Sequence, residues 1–291
     1  MTRVPSVDFR SIKLGDFEIY SLSDGATEGP VRPGVVKNAT MEVVRSALRI
    51  AGRSDVTART PFTTIAIVKH GHLTLIDAGT GGSPVYGPNC GYLRESLVSA
   101  GLDPTSVKSI LITHLHGDHI YGLFDKETLE QRFPNAEILV PSADLKWWTQ
   151  PSVATLDLGA TRVGLATRIS KTIAVWPNVR TFDEETEVLP GVHSVAAYGH
   201  SPGHTAYLFK TGAKDFLFSA DVCVNPALSF KYPEWQFTMD QDPAMAAATR
   251  RRIFDRAASE GLLIAGTHWE LPNVGTIKQA GGGYAFEPMA M

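Results

Sequence analysis

Cysteine is nearly absent from this 291-residue chain, which has only Cys90 and Cys223. Two thiols so far apart build neither a disulfide framework nor a four-thiolate zinc site. Stability must come from an ordinary apolar core, as suits a reducing, cytoplasmic compartment. Basic charge is not in excess either. Lys and Arg number 27 against 30 Asp and Glu, a formal net charge of −3, so the chain has no footprint for a nucleic-acid backbone. No apolar run reaches the roughly 18 residues that span a bilayer, which argues against membrane insertion. Asp8, Asp16 and Glu18 interrupt the first twenty positions, so these lack the apolar stretch of a secretory signal. Internal repeats and low-complexity tracts are missing too. What is present suffices for a packed core: 43% of residues are hydrophobic and 20% charged, which excludes a disordered chain. One α/β domain covering 1–291 is expected.

The first half alternates strand and helix signals. Strands are expected at Phe17 to Leu22, at Thr63 to Val68 paired as a hairpin with Leu73 to Asp77, at Ser109 to Thr113 and at Glu137 to Val140. Helices are expected at Met41 to Ala51, Tyr92 to Ala100 and Ala143 to Thr149, while Pro151 to Thr172 is ambiguous. The second half turns mainly to strands: Val188 to Leu189, Val192 to Ala197, Ala206 to Lys210, Phe216 to Ala220 and Leu262 to Gly266. A helix with Asp242 as its cap and Pro243 at its first position runs to about Ser259. Of Arg250, Arg251 and Arg252 on that helix, two are expected to face solvent.

The chemistry is concentrated in His114-Leu115-His116-Gly117-Asp118-His119, immediately after an apolar strand. A chance match to His-x-His-x-Asp-His in this composition is on the order of 5 in 10,000. Imidazoles and carboxylates without thiolates suit zinc and similar divalent ions. Gly117 reads as the residue permitting a tight turn that brings Asp118 and His119 round. Three further candidates each sit at a strand end: His204 in the turn Gly199 to Thr205, Asp221 and His268.

This set, in this order, resembles the metallo-β-lactamase superfamily over most of the chain, from about Thr63 to His268. The resemblance implies a four-layer αβ/βα sandwich with a two-metal site between its sheets. It assigns His114, His116 and His204 to one metal and Asp118, His119 and His268 to the other, with Asp221 bridging. Asp77 would orient a ligand from behind, and His200 could do the same. Zinc is the expected metal, with manganese, cobalt or ferrous iron as alternatives. Two divalent ions about 3.5–4 Å apart can share one hydroxide as the nucleophile, so no serine or cysteine nucleophile is needed. Asp118 is then the best-placed carboxylate to orient the hydroxide or shuttle a proton.

The absence of a cysteine ligand argues against true β-lactamases. The short tail after His268 argues against glyoxalase-type thioesterases, and His116 argues against flavin-linked di-iron enzymes, which carry Glu there. Ser219 to Leu228, Pro233 to Gln236 and Asp242 to Arg250 resemble the methyl parathion hydrolase-like group, which overlaps with lactonases. Val224, Tyr121-Gly122 and Trp269-Glu270-Leu271-Pro272 depart from that group's pattern. The resemblance therefore implies a homodimeric hydrolase of lactones or activated aryl esters acting on a small-molecule substrate. A phosphotriesterase is the alternative, and a non-catalytic metal-binding protein is more remote. Tyr121, Phe124, Trp147, Trp148, Phe230, Trp235 and Trp269 are the expected pocket walls, with Trp147, Trp148 and Trp235 forming one side. Cys223 reads as a small buried apolar residue.

Overall fold

The computed structural model describes residues 7–290 except 126, 127, 129, 156–158 and 213. Part of the N-terminal stretch and of the ambiguous 151–172 segment thus lies outside the described residues. Two seven-stranded sheets face each other. The first runs β1 (Phe9–Leu14), β2 (Phe17–Pro30), β3 (Thr57–Lys69), β4 (His72–Ile76), β5 (Val107–Leu111), β6 (Glu137–Pro141) and β7 (Val179–Phe182), in chain order. The second holds β8 (Glu187–Leu189), β9 (Val192–Ala196), β10 (Thr205–Phe209), β11 (Phe216–Phe218), β12 (Leu263–Ala265), β13 (Gly275–Ala280) and β14 (Gly283–Pro288), also in chain order. Strands β4 to β7 are parallel neighbours, and β11 pairs parallel with β12.

Alternation along these strands explains the layering. Ile65, Ile67, Ile76, Leu111 and Leu139 of the first sheet meet Tyr207, Phe209, Phe216 and Phe218 of the second in one buried cluster. The intervening residues Ala66, Leu75, Ile110 and Ile138 point the other way, under α2 (Leu93–Ser99), α4 (Ser142–Trp148) and α5 (Gly159–Lys171). On the outer face of the second sheet, Leu208, Leu217 and Ile264 pack beneath Ile253, Phe254 and Ala257 of α7 (Pro243–Ser259). A strand buried on both faces has no polar side, as its near-continuous apolar sequence requires. The result is the expected αβ/βα sandwich.

Helix α1 (Met41–Ile50) starts where Thr40 accepts a hydrogen bond from Val43 N, and it buries Val44, Ala47 and Leu48. Helix α7 starts where the Asp242 carboxylate accepts from Met245 N at 3.0 Å. Of its three consecutive arginines only Arg250 is buried. The short helices α3 (Gly117–Ile120) and α6 (Pro226–Ser229) follow ligand-bearing loops. Among the described residues no helix is long and apolar enough to cross a membrane. The C-terminal tail, for which the sequence reading named no element, forms the β13–β14 hairpin through Gly281 and Gly282.

Candidate metal centre

The strand ends bring the chemistry to one edge of the seam between the sheets. Asp77 follows β4, Thr113 to His116 follow β5, the turn carrying His200 and His204 precedes β10, Asp221 follows β11 and His268 follows β12. Backbone bonds join the two sheets at this edge, Thr205 N to Thr113 O at 2.9 Å and Thr63 N to Thr267 O at 2.9 Å. Asp77 and Ala220 adopt left-handed φ of 64° and 45°. Such non-glycine conformations cost on the order of 1–3 kcal/mol each and persist where the surroundings over-determine them.

Two ligand groups result. The first unites His114, His116 and His200, and the second unites Asp118, His119, Asp221 and His268. Hydrogen bonds behind each imidazole decide which nitrogen is left to bind. Thr113 donates its hydroxyl to Asp77 Oδ2 (2.8 Å), so at 3.1 Å it receives the proton on His114 Nδ1 and leaves His114 Nε2 as a lone pair. The carboxylate of Asp240 takes the proton of His200 Nδ1 at 2.8 Å, leaving His200 Nε2 as a lone pair. Both lone pairs face His116 Nδ1, at 3.0 and 2.9 Å. One proton on His116 can serve only one of them, whereas a cation satisfies all three nitrogens.

The second group follows the same logic. His119 Nδ1 donates to Asp77 Oδ2 (2.7 Å) and His268 Nδ1 to Pro61 O (3.0 Å). Their Nε2 lone pairs then face carboxylate oxygens: His268 lies 3.0 Å from Asp221 Oδ2, and His119 lies 3.4 Å from Asp221 Oδ1 and 3.6 Å from Asp118 Oδ2. His119 Nε2 and Asp221 Oδ1 are buried without a hydrogen bond of good geometry. Asp221 Oδ2 also lies 3.2 Å from His200 Nε2, so this carboxylate touches both groups. Acceptors turned toward acceptors in a buried site need positive charge between them, and this donor set fits divalent cations.

The electrostatics divide the site. Burial and the neighbouring imidazoles His119 and His116 push His114 well below the usual histidine range. Burial also favours the neutral form of His119 and His268, but the carboxylates of Asp221 and Asp118 outweigh it and raise both. His268, His119 and His200 hold Asp221 well below the usual carboxylate range in spite of its burial. His114 therefore keeps its lone pair, while the second group draws in positive charge.

The structure departs from the sequence reading at His204. Its Nε2 accepts from Asp221 N at 3.2 Å, which places its proton on Nδ1, donated to Ala197 O at 2.8 Å. Both ring nitrogens are consumed by backbone, and burial lowers its pKa to about 3. His200, expected behind the site, takes the place expected of His204 beside His114 and His116. Gly117 also has a different task. Its φ is not left-handed; a Cβ there would lie 2.7 Å from the Tyr86 hydroxyl and 2.6 Å from the Tyr121 ring, so glycine makes room for two tyrosines.

Other supports were not read from the sequence. Buried Asp144 of α4 accepts from Leu115 N (2.7 Å), Ser201 Oγ (2.6 Å) and Gly203 N (2.9 Å), tying both histidine loops together. Arg250 donates to Val222 O, Pro233 O and Trp235 O at 2.8–3.0 Å and reaches Asp240 Oδ2 at 3.4 Å, so it braces the carboxylate behind His200. Neither Asp144 nor Asp240 lies in a local motif, and the signal for both is spatial.

A cavity of 530 Å³ opens above the two groups, lined by Val35, Phe62, Leu165, Val224, Phe237 and Met239 together with Tyr86 and Tyr121. Of the expected aromatic walls only Tyr121 faces it. Trp148 is buried with its edge on His116 (5.9 Å), and Trp147 lines a separate cavity with Lys37 and Tyr198. Phe230 and Trp269 pack with Phe286 under the outer face of the second sheet. Trp235 stacks on Tyr232 beside α1, and Phe124 packs on Trp176. Cys223 is buried among apolar neighbours, which raises its thiol to about 12, as expected of an inert side chain.

Residues 61–250 match the metallo-beta-lactamase superfamily. The chain belongs to the metallo-beta-lactamase superfamily. It is a metal-dependent hydrolase of that superfamily. The hydrolase AbOPH, of the beta-lactamase superfamily, is 27% identical with a TM-score of 0.88, over 98% of this chain and 99% of that one. AidC, a dizinc quorum-quenching lactonase solved with the product N-hexanoyl-L-homoserine, is 23% identical with a TM-score of 0.87, over 97% of this chain and 98% of that one. A probable metal-dependent hydrolase from Staphylococcus aureus is 20% identical with a TM-score of 0.76, over 96% and 99%. No curated protein matches the chain.

Proposed function

We propose that this superfamily hydrolase opens lactones carrying an apolar acyl chain. It would hold one divalent cation, zinc foremost, on His114, His116 and His200 and a second on Asp118, His119 and His268, with Asp221 shared. When bound, such a pair activates water and polarises the substrate carbonyl. The chain's own residues supply the rest. Asp118, 13% exposed at the cavity floor, is placed to orient the attacking water and accept its proton. Asp77 and Asp240 hold the imidazoles in the tautomers that bind.

The observation that carries the substrate reading is the cavity above the floor. Its walls are mostly apolar and bear no basic side chain among the described residues, which suits an aliphatic acyl group over a charged one. The similarity to AidC, a lactonase, supports the same reading. The test compares an acyl-homoserine lactone, an aryl lactone and an aryl phosphotriester on metal-loaded protein. The lactones should give the highest kcat/KM, with preference for longer acyl chains. A phosphotriester turned over faster than either lactone would overturn the proposal.

A further inference from the structure

One neutral side chain of the cavity wall bonds directly to the acidic group. Tyr86 ends the short turn Pro84–Tyr86 after β4, and its hydroxyl donates to Asp118 Oδ1 at 3.3 Å. The other oxygen, Asp118 Oδ2, faces His119 and His268, at 3.6 and 3.5 Å. The hydroxyl thus sits one carboxylate away from the centre, on the open side of the site. Two ring contacts hold its ring there. The Tyr86 ring packs edge-on against Phe62 (5.3 Å), which itself lies edge-on to His268 (5.6 Å), and it is flanked by Tyr121 (6.1 Å). Gly117 supplies the space, since any Cβ there would press on that hydroxyl. Across the cavity, Val224 follows the Asp221 turn and offers no donor.

We propose that the Tyr86 hydroxyl swings from Asp118 to donate a hydrogen bond to the leaving oxygen of the substrate as the acyl–oxygen bond breaks. The role rests on the hydrolase reading above. In that step the water oxygen forms the new bond to the acyl carbon. The bond from that carbon to the leaving oxygen breaks and its electron pair stays on the leaving oxygen. One proton of the water ends there and the other is released to solvent, while Tyr86 keeps its own. A tyrosine hydroxyl is a neutral O–H donor, and the geometry already points it along the floor of the cavity. A donor aimed at developing charge in a water-poor site matters most where that charge is greatest, so an alkoxide leaving group should depend on Tyr86 more than a phenoxide.

The test is Tyr86→Phe, which keeps the ring contacts with Phe62 and Tyr121. Metal content and thermal midpoint should match the parent. With an acyl-homoserine lactone, kcat should fall on the order of 10²-fold with little change in KM, while an aryl lactone loses far less. Independently of turnover, calorimetry should show the ring-opened N-acyl-homoserine bound about fivefold more weakly by the variant, and its deoxy analogue bound equally by both. Equal losses on alkyl and aryl lactones, or unchanged affinity for the hydroxy acid, would overturn the role of Tyr86 and leave the lactonase reading standing. A parent protein inactive on both lactones would instead overturn that reading, and with it this role.

Discussion

The floor and the walls of the central cavity differ in how their side chains are held. On the floor, the second ring nitrogen of each of four imidazoles is tied down: His114 to Thr113, His119 to Asp77, His200 to Asp240 and His268 to Pro61. Directional bonds fix both place and tautomer there. On the walls, Val35, Phe62, Leu165 and Phe237 present apolar side chains held by van der Waals and ring contacts, from segments far apart in the chain. A site built this way keeps its chemistry constant while its substrate range can shift through single apolar exchanges.

Asp221→Ala strikes the floor at the group that touches both ligand sets. It should give the largest loss, with activity and bound metal falling together, as measured by turnover and elemental analysis; near-normal metal content would refute the shared role. Next come the two histidines of one turn. His200→Ala should lose metal from the first group, whereas His204→Ala should lower the thermal midpoint more than the metal affinity, because its bonds go to Ala197 and Asp221 backbone. Equal metal loss in both would return His204 to the ligand set.

Behind the floor, Arg250→Met removes the cation bracing Asp240 and should weaken metal affinity about 10- to 100-fold, read by competition with a chelator. On the walls, Phe237→Ala should reduce the preference for long over short acyl lactones by about 1–3 kcal/mol, while Trp147→Ala leaves it unchanged. The reverse result would return the tryptophan to the pocket.

The smallest effect on activity concerns Asp24. Burial raises this carboxyl to about 6, although Thr80 and Leu93 donate hydrogen bonds to it. A carboxyl raised above its unfolded value favours the fold below that value, near 4, and this contribution is lost as pH rises through 6. Asp24→Asn should remove that component, on the order of 2–3 kcal/mol, from denaturation curves taken between pH 4 and 7.

The same contrast explains what could be read from the sequence. The floor was legible because His114 to His119 compress the needed residue types into one loop, and because lone ligands follow apolar strands. The choice between His200 and His204 was not, since it depends on which imidazole the backbone of Ala197 and Asp221 consumes. The walls were illegible because nothing marks Val35 or Phe237 among other apolar residues. Nearness in sequence misassigned the tryptophans, as α4 turns Trp148 behind His116 and Trp147 toward another cavity. The terminal hairpin did carry a signal, Gly281-Gly282, which suits a two-residue turn with both φ left-handed.

The chain order of the strands has a consequence for biosynthesis. The first sheet is finished by Phe182 and the second begins at Glu187, so each half can zip up from its own neighbours as it leaves the ribosome. Neither half owns a complete ligand group, because His114 and His116 wait for His200, and Asp118 and His119 wait for Asp221 and His268. Tight cation capture is therefore a late event, reporting that the halves have docked. A nascent chain stalled near residue 185 would show folded β-structure yet compete poorly for zinc, and a chelator added during refolding would arrest the chain after its strands have formed.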